Sequence, residues 1–138
     1  MVRVTTVTIA VITLAVLTAE ADTVTTRDSR SWNGKVTSIK GGVLTLNATF
    51  PSGMQPLPFG ADYIRAIELN TTTYNPGANP LKLLPKPDGG QLRGTVYMRD
   101  KTQPHKCTTD ITVDPTHVNC DGQSLDRQNV MRILVDSH

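Results

Sequence analysis

The chain has 138 residues, of which 38% are apolar, 4% aromatic and 19% charged, with a formal net charge of +2. That length holds one ordinary domain or two very small ones, which excludes most large α/β enzyme folds, and the composition excludes coiled coils and collagen-like chains. So small a surplus of base over acid points neither toward nor away from an anionic partner.

Residues 1–21 have the form of a secretory signal peptide. Met1-Val2-Arg3 is a short positive start, and Val7 to Leu17 is apolar apart from Thr8 and Thr13. Ala19-Glu20-Ala21 fits a small-x-small cleavage site, which would make Asp22 the first residue of the mature chain. The competing reading is an uncleaved anchor. The uncharged stretch from Val4 to Ala19 has 16 residues and carries five threonines, short of the ~20 apolar residues that a span needs. Cleavage removes one base, Arg3, and one acid, Glu20, so the net charge does not change. The expected location is periplasmic or extracellular, with no stable membrane span after cleavage.

After Asp22 no 3.6-residue apolar period is sustained. Short runs of Val, Ile and Thr, divided by Gly, Pro, Asp and Asn, predict strands over 23–27, 31–39, 43–49, 55–58 and 64–69. Lys40-Gly41-Gly42 supplies a tight hairpin tip that tolerates positive φ. Residues 71–90 hold Pro76, Pro80, Pro85 and Pro87 with Gly77, Gly89 and Gly90, a density that no central strand accepts, so they read as a linker. Leu81, Leu83 and Leu84 in it are expected to lie on a domain surface. A second set of strands is predicted over 91–99, 106–113, 117–120, 123–125 and 130–135.

The two sets match. Thr23-Val24-Thr25-Thr26-Arg27-Asp28 aligns with Thr95-Val96-Tyr97-Met98-Arg99-Asp100 at four positions of six. Val36 then aligns with Ile111, Val43 with Val118, and Ile64, Ile67 and Leu69 with Val130, Ile133 and Val135. The expected organisation is a signal peptide at 1–21, a first small β-barrel at 22–70, a linker at 71–90 and a second, degenerate barrel at 91–138. A single continuous β-sandwich is the alternative. Fewer than ~50 residues make a marginal domain, so the copies are expected to fold as one unit.

The stretch Trp32-Asn33-Gly34-Lys35-Val36-Thr37-Ser38-Ile39-Lys40-Gly41-Gly42-Val43-Leu44-Thr45-Leu46 resembles the second and third strands of the Sm-like (LSm) fold, a five-stranded small barrel whose pattern SH3-like barrels share. Gly34 stands where that fold bends a long strand, and Ile64-Arg65-Ala66-Ile67-Glu68-Leu69 would be the closing strand. The resemblance implies an all-β fold of two tandem barrels. It does not carry the family's RNA binding. The loop Lys40-Gly41-Gly42 lacks the family's Asp and Asn, and Gly60-Ala61-Asp62-Tyr63 stands in place of its Arg-Gly pair. No nucleic-acid partner is expected.

Cys107 and Cys120 are the only cysteines. In an oxidising compartment they are expected to form a disulfide across a hairpin, with Cys107 aligned to Trp32 of the first copy. The alternative is a zinc site of His105, Cys107, His117 and Cys120, although H-x-C and H-x-x-C are not common zinc spacings. The acids are scattered and pick out no facing pair. Asp28, Asp100, Asp114 and Asp121 stand at turns, where aspartate bonds to its own backbone. No catalytic motif is present, and no cofactor is expected. Arg93, Arg99, Lys101 and Lys106 flank Tyr97 in the densest basic segment, which reads as a protected edge strand or a polyanion surface. Trp32 reads as core. Tyr63, Arg93, Tyr97 and Arg99 are the candidate ligand surface. The expectation is an exported, non-enzymatic binding or structural module recognising protein or glycan. The alternatives are a small extracytoplasmic hydrolase or zinc protein, and a subunit of a homo-oligomeric envelope assembly that adds strand to strand.

Overall fold

Inward and outward residues alternate along β2 (Ser31–Lys40), where Trp32, Gly34 and Val36 are buried while Ser31, Lys35 and Thr37 are exposed. A computed structural model describes residues 20–50, 53–73, 84–87 and 90–136. The other strands are β1 (Glu20–Thr26), β3 (Val43–Phe50), β4 (Gly53–Gly60), β5 (Ile64–Thr73), β6 (Gly94–Met98), β7 (His105–Cys107), β8 (Thr112–Val113), β9 (His117–Cys120), β10 (Gln123–Asp126) and β11 (Val130–Val135). A 3-10 turn, Arg127–Asn129, leads from β10 into β11. The expected signal segment, apart from Glu20 and Ala21, lies outside the described residues, as do 74–83, 88 and 89 of the expected linker.

The protein is all-β, and its 11 strands form one curled, half-barrel sheet. Its order is β10-β9-β8-β2-β1-β5-β11-β6-β7, with β3 on β2 and β4 on β3. A buried row runs across six strands. Trp32 faces Val24, Val24 faces Ile67, Ile67 faces Ile133, Ile133 faces Val96, and Val96 faces His105. The first five of these are fully buried. Trp32 also meets Phe59 edge to face at 5.3 Å. Each such side chain contributes about 1.5–3 kcal/mol on burial.

Several boundaries differ from expectation, two of them with a visible cause. The strand expected over 106–113 is broken between Cys107 and Thr112. There the Asp121 carboxylate accepts the amides of Thr108 and Thr109 at 2.9–3.0 Å, and both hydroxyls, which withdraws those amides from a ladder. β5 runs on to Thr73, into the expected linker, because Glu20 and Ala21 pair with Thr73 and Thr72. Leu84 packs half-buried against the core. Outward from β3, β4 pairs with no other described strand, and its Pro56 and Pro58 have no N–H to offer a further strand.

Gly34 lies between Asp22 of β1 and Ala48 of β3. A Cβ there would stand 2.3 Å from the Asn47 carbonyl oxygen, so the residue is fixed by a backbone approach. Gly34→Ala should cost about 1–3 kcal/mol. Urea titration checks this against exposed Lys35→Ala, expected to stay within about 0.5 kcal/mol of the natural chain.

Candidate functional site

Two Arg-Asp turns sit at opposite ends of the β5–β11 seam. In the first, Arg27 N–H donates to the Tyr63 carbonyl, Nε to the Asp62 carbonyl at 3.0 Å, and its second guanidinium nitrogen to the Asp136 carbonyl at 2.8 Å. In the second, Arg99 N–H donates to the Asn129 carbonyl, Nε to the Gln128 carbonyl at 3.1 Å, and its second nitrogen to the Leu69 carbonyl. The aspartates follow suit. Asp28 accepts the Tyr63 hydroxyl at 2.8 Å, and Asp100 accepts the Asn129 amide at 3.0 Å. Ser29 and Lys101, each two residues past its arginine, both take positive φ, 67° and 62°. Around Asp28 the network continues through Arg30, which donates to Asp28 and to the Tyr63 hydroxyl and lies 4.8 Å over the Trp32 ring.

Beside the second of these turns is a buried ion pair that the sequence did not signal: Asn70 adjoins Leu69 and Arg127 adjoins Gln128, the two residues whose carbonyls Arg99 takes. Asp22 and Arg127 are both almost fully buried and meet at 3.1 Å. Asp22 also accepts the amides of Val36 and Asn70, at 2.8 and 2.9 Å. Arg127 also donates to the carbonyls of Val36 and Asp114. Five hydrogen bonds, one between the two side chains and four to backbone groups, thus satisfy two charges, the condition under which a buried pair holds. An acid at the start of a strand and a base in a turn, 105 positions apart, leave no local pattern that would pair them.

Cys107 and Cys120 form a disulfide that ties β7 to β9, with Cα atoms 5.3 Å apart. Both thiolates of the alternative zinc site are therefore consumed by the bond. His105 sits half-buried on β7. His117 is exposed at the start of β9, its Nδ1 beside the Thr116 hydroxyl. Among the described residues, no three of His, Cys, Asp and Glu converge on a metal position.

Four turn carboxylates are held below their ordinary range by hydrogen bonds. Asp28 is lowered from 3.8 to about 2, chiefly by the Thr26 hydroxyl, with Tyr63 and Arg30 adding to it. Asp121 is also lowered to about 2, first by the Thr108 amide and then by Thr109. Asp100 is lowered by the Asn129 side chain before Thr102, and Asp114 by the amides of Thr116 and His117. A general acid needs the opposite shift. Asp28 and Asp121 favour the folded state above about pH 4, and their contribution disappears as pH falls through their folded values near 2; Asp100 and Asp114 act in the same sense. Melting temperature should drop between those pH values, and Asp121→Asn should shrink the drop while lowering stability at neutral pH.

The candidate ligand residues separate. Arg93 is exposed just before β6, Tyr97 is half-buried on β6, and Arg99 is committed to the Leu69 and Gln128 carbonyls. Tyr63 belongs to the other turn, with its hydroxyl between Asp28 and Arg30. What the register does assemble is an outward face of two cross-strand rows. One runs Asn33–Thr23–Glu68–Arg132–Tyr97, the other Ser31–Thr25–Ala66–Leu134–Thr95–Lys106. All but the exposed Ser31 and Lys106 are half-buried, and the Arg132 guanidinium lies 5.8 Å from the Tyr97 ring centre. No helix among the described residues is long and apolar enough to cross a membrane. No protein-family model matches the chain, and no curated protein or solved structure matches it.

Proposed function

We propose that the protein is an exported, non-enzymatic binding module made of two copies of a five-stranded Sm-like or SH3-like barrel, and that it binds a protein partner on the outward face of its central strands. The two-copy reading is supported by identical registers. Val24 lies between Trp32 and Ile67 as Val96 lies between His105 and Ile133, and each last strand carries a bulge, beside Arg65 and beside Met131. The first copy is β1–β5. The second is β6–β11, with β7 and β8 as two pieces of one bent strand. In this register Cys107, opposite Gly94, takes the place of Gly34, opposite Asp22, so the alignment of Cys107 with Trp32 shifts by two residues.

The observation that carries the binding role is the pair of outward rows, in which Ala66, Leu134 and Tyr97 alternate with Thr23, Thr25, Thr95, Glu68 and Arg132 across four strands. Polar and apolar groups mixed on one rigid surface are what a protein interface needs. The guanidinium near the Tyr97 ring competes for the stacking position that a sugar would use, which favours a protein over a glycan. The hydrolase reading loses support because Asp100, Asp114 and Asp121 already hold backbone amides and Asp28 already holds the side chains of Thr26, Arg30 and Tyr63. Strand-added assembly through β4 is opposed by Pro56 and Pro58.

The test is affinity capture from the native envelope with the mature protein and with T25R/T95R, which places two long cations on the outward face without touching the core. A partner retained by the natural protein and lost with the variant is expected. Equal retention by both, or binding to a glycan array instead, would overturn the assignment.

A further inference from the structure

The seam between the copies is close to self-complementary. Ile67 faces Ile133, Arg27 reaches the Asp136 carbonyl while Arg99 reaches that of Leu69, one residue short of the equivalent Asn70, and the paired second-strand segments touch at Ile39 and Val113. A surface that is the same on both sides does not by itself distinguish an unlike partner from a like one. One contact breaks the equivalence. The counterpart of Asp22 is Gly94, and the counterpart of Arg127 is Ala61. Ala61 N–H donates to the Gly42 carbonyl just as Arg127 N–H donates to that of Thr116, which fixes the correspondence. So the charged pair exists at one of the two equivalent places, and the other holds two small residues, both buried.

We propose that Asp22–Arg127 is a recognition lock: it makes a first copy accept only a second copy, and so excludes like-with-like pairing between two molecules of this chain. The proposal rests on the two-copy reading above. Two first copies joined through β5 would each bury Asp22 against the other's Ala61, with no guanidinium. Two second copies joined through β11 would each bury Arg127 beside Gly94, with no carboxylate. Leaving one member of a buried pair alone is worth about a hundredfold or more in an equilibrium constant, and either wrong pairing does so twice. Unpaired charge set against the wrong partner is the usual form of such discrimination.

The full chain is refolded over a wide range of concentration as the natural protein, as D22G/R127A and as D22N/R127M. D22G/R127A makes each position equal to its counterpart, and D22N/R127M keeps an oxygen for the Val36 amide, so one variant serves if the other does not fold. Light scattering should give one species for the natural chain and at least about tenfold more chain–chain species for the uncharged variants. Ala66→Cys with Glu68→Cys identifies the species. Antiparallel pairing of two β5 strands about Ile67 sets these positions opposite each other and yields an interchain disulfide. An exchange that keeps β5 on β11 does not. Variants that stay as monodisperse as the natural chain, or associate without that crosslink, would overturn the lock. Arg27→Met and Arg99→Met tell this failure from failure of the two-copy reading. Equal losses of stability uphold the equivalence of the copies, and clearly unequal losses overturn it.

Discussion

Replacing Arg127 by methionine is expected to remove about 3–5 kcal/mol from the free energy of unfolding, the typical cost of stripping one member from a buried ion pair. The loss has a definite origin. Asp22 would keep the amides of Val36 and Asn70 but hold its charge out of water with no cation in reach. The carbonyls of Val36 and Asp114 would each lose a donor at the same time. Against the 5–15 kcal/mol that usually separates folded from unfolded chains, this is enough to leave a large unfolded fraction. Adding Asp22→Asn should recover part of the loss, since the uncompensated charge goes with it. Urea titrations of the two singles and the double measure the coupling, which should exceed about 1 kcal/mol for groups in direct contact. A methionine variant as stable as the natural chain would show that the pair is ornamental to stability.

The second large effect is expected from the disulfide. Cys107→Ala with Cys120→Ala should cost about 3 kcal/mol, the chain-entropy value for a loop of this size. The separation is 13 residues. In the loop it closes, β8 has two residues and β7 has three, and the break between them is held by Asp121 and by the contacts of Asp110 and Ile111 with Leu92. Loss of the bridge and Asp121→Asn should therefore add to more than their separate costs, because both hold the same bend. Thiol titration of unreduced protein should find no free thiol, and reductant should lower the melting temperature of the natural chain while leaving the double-alanine variant unchanged.

Most of the strands were legible because each is a short β-branched run between residues that favour turns. The tip residues Gly41 and Gly42 do take positive φ, 58° and 74°. The disulfide was legible from cysteine count and the expected compartment. The break in the strand at 108–111 was not, because Thr108-Thr109 looks like good strand sequence and the carboxylate that interrupts it comes from Asp121. Arg99 was legible as chemistry but not as role. An arginine in a basic segment around a tyrosine suggests a surface, yet its carbonyl partners Leu69 and Gln128 lie 30 and 29 positions away. The outward rows escaped notice for the same reason. Thr23, Glu68, Arg132 and Tyr97 become neighbours only once four strands are in register.

The position of β11 has a consequence for how the molecule comes to exist. It is synthesised after the ten other described strands, yet it sits inside the sheet between β5 and β6. Until it is delivered, β5 and β6 both display open edges to whatever passes. Joining strands so far apart in the chain is slow, because long loops must close before any reward is felt, and bare edges in that interval invite mispairing. Assembly is thus all-or-nothing at the level of the nascent chain, and a ribosome that stalls before residue 130 releases a product with its keystone missing.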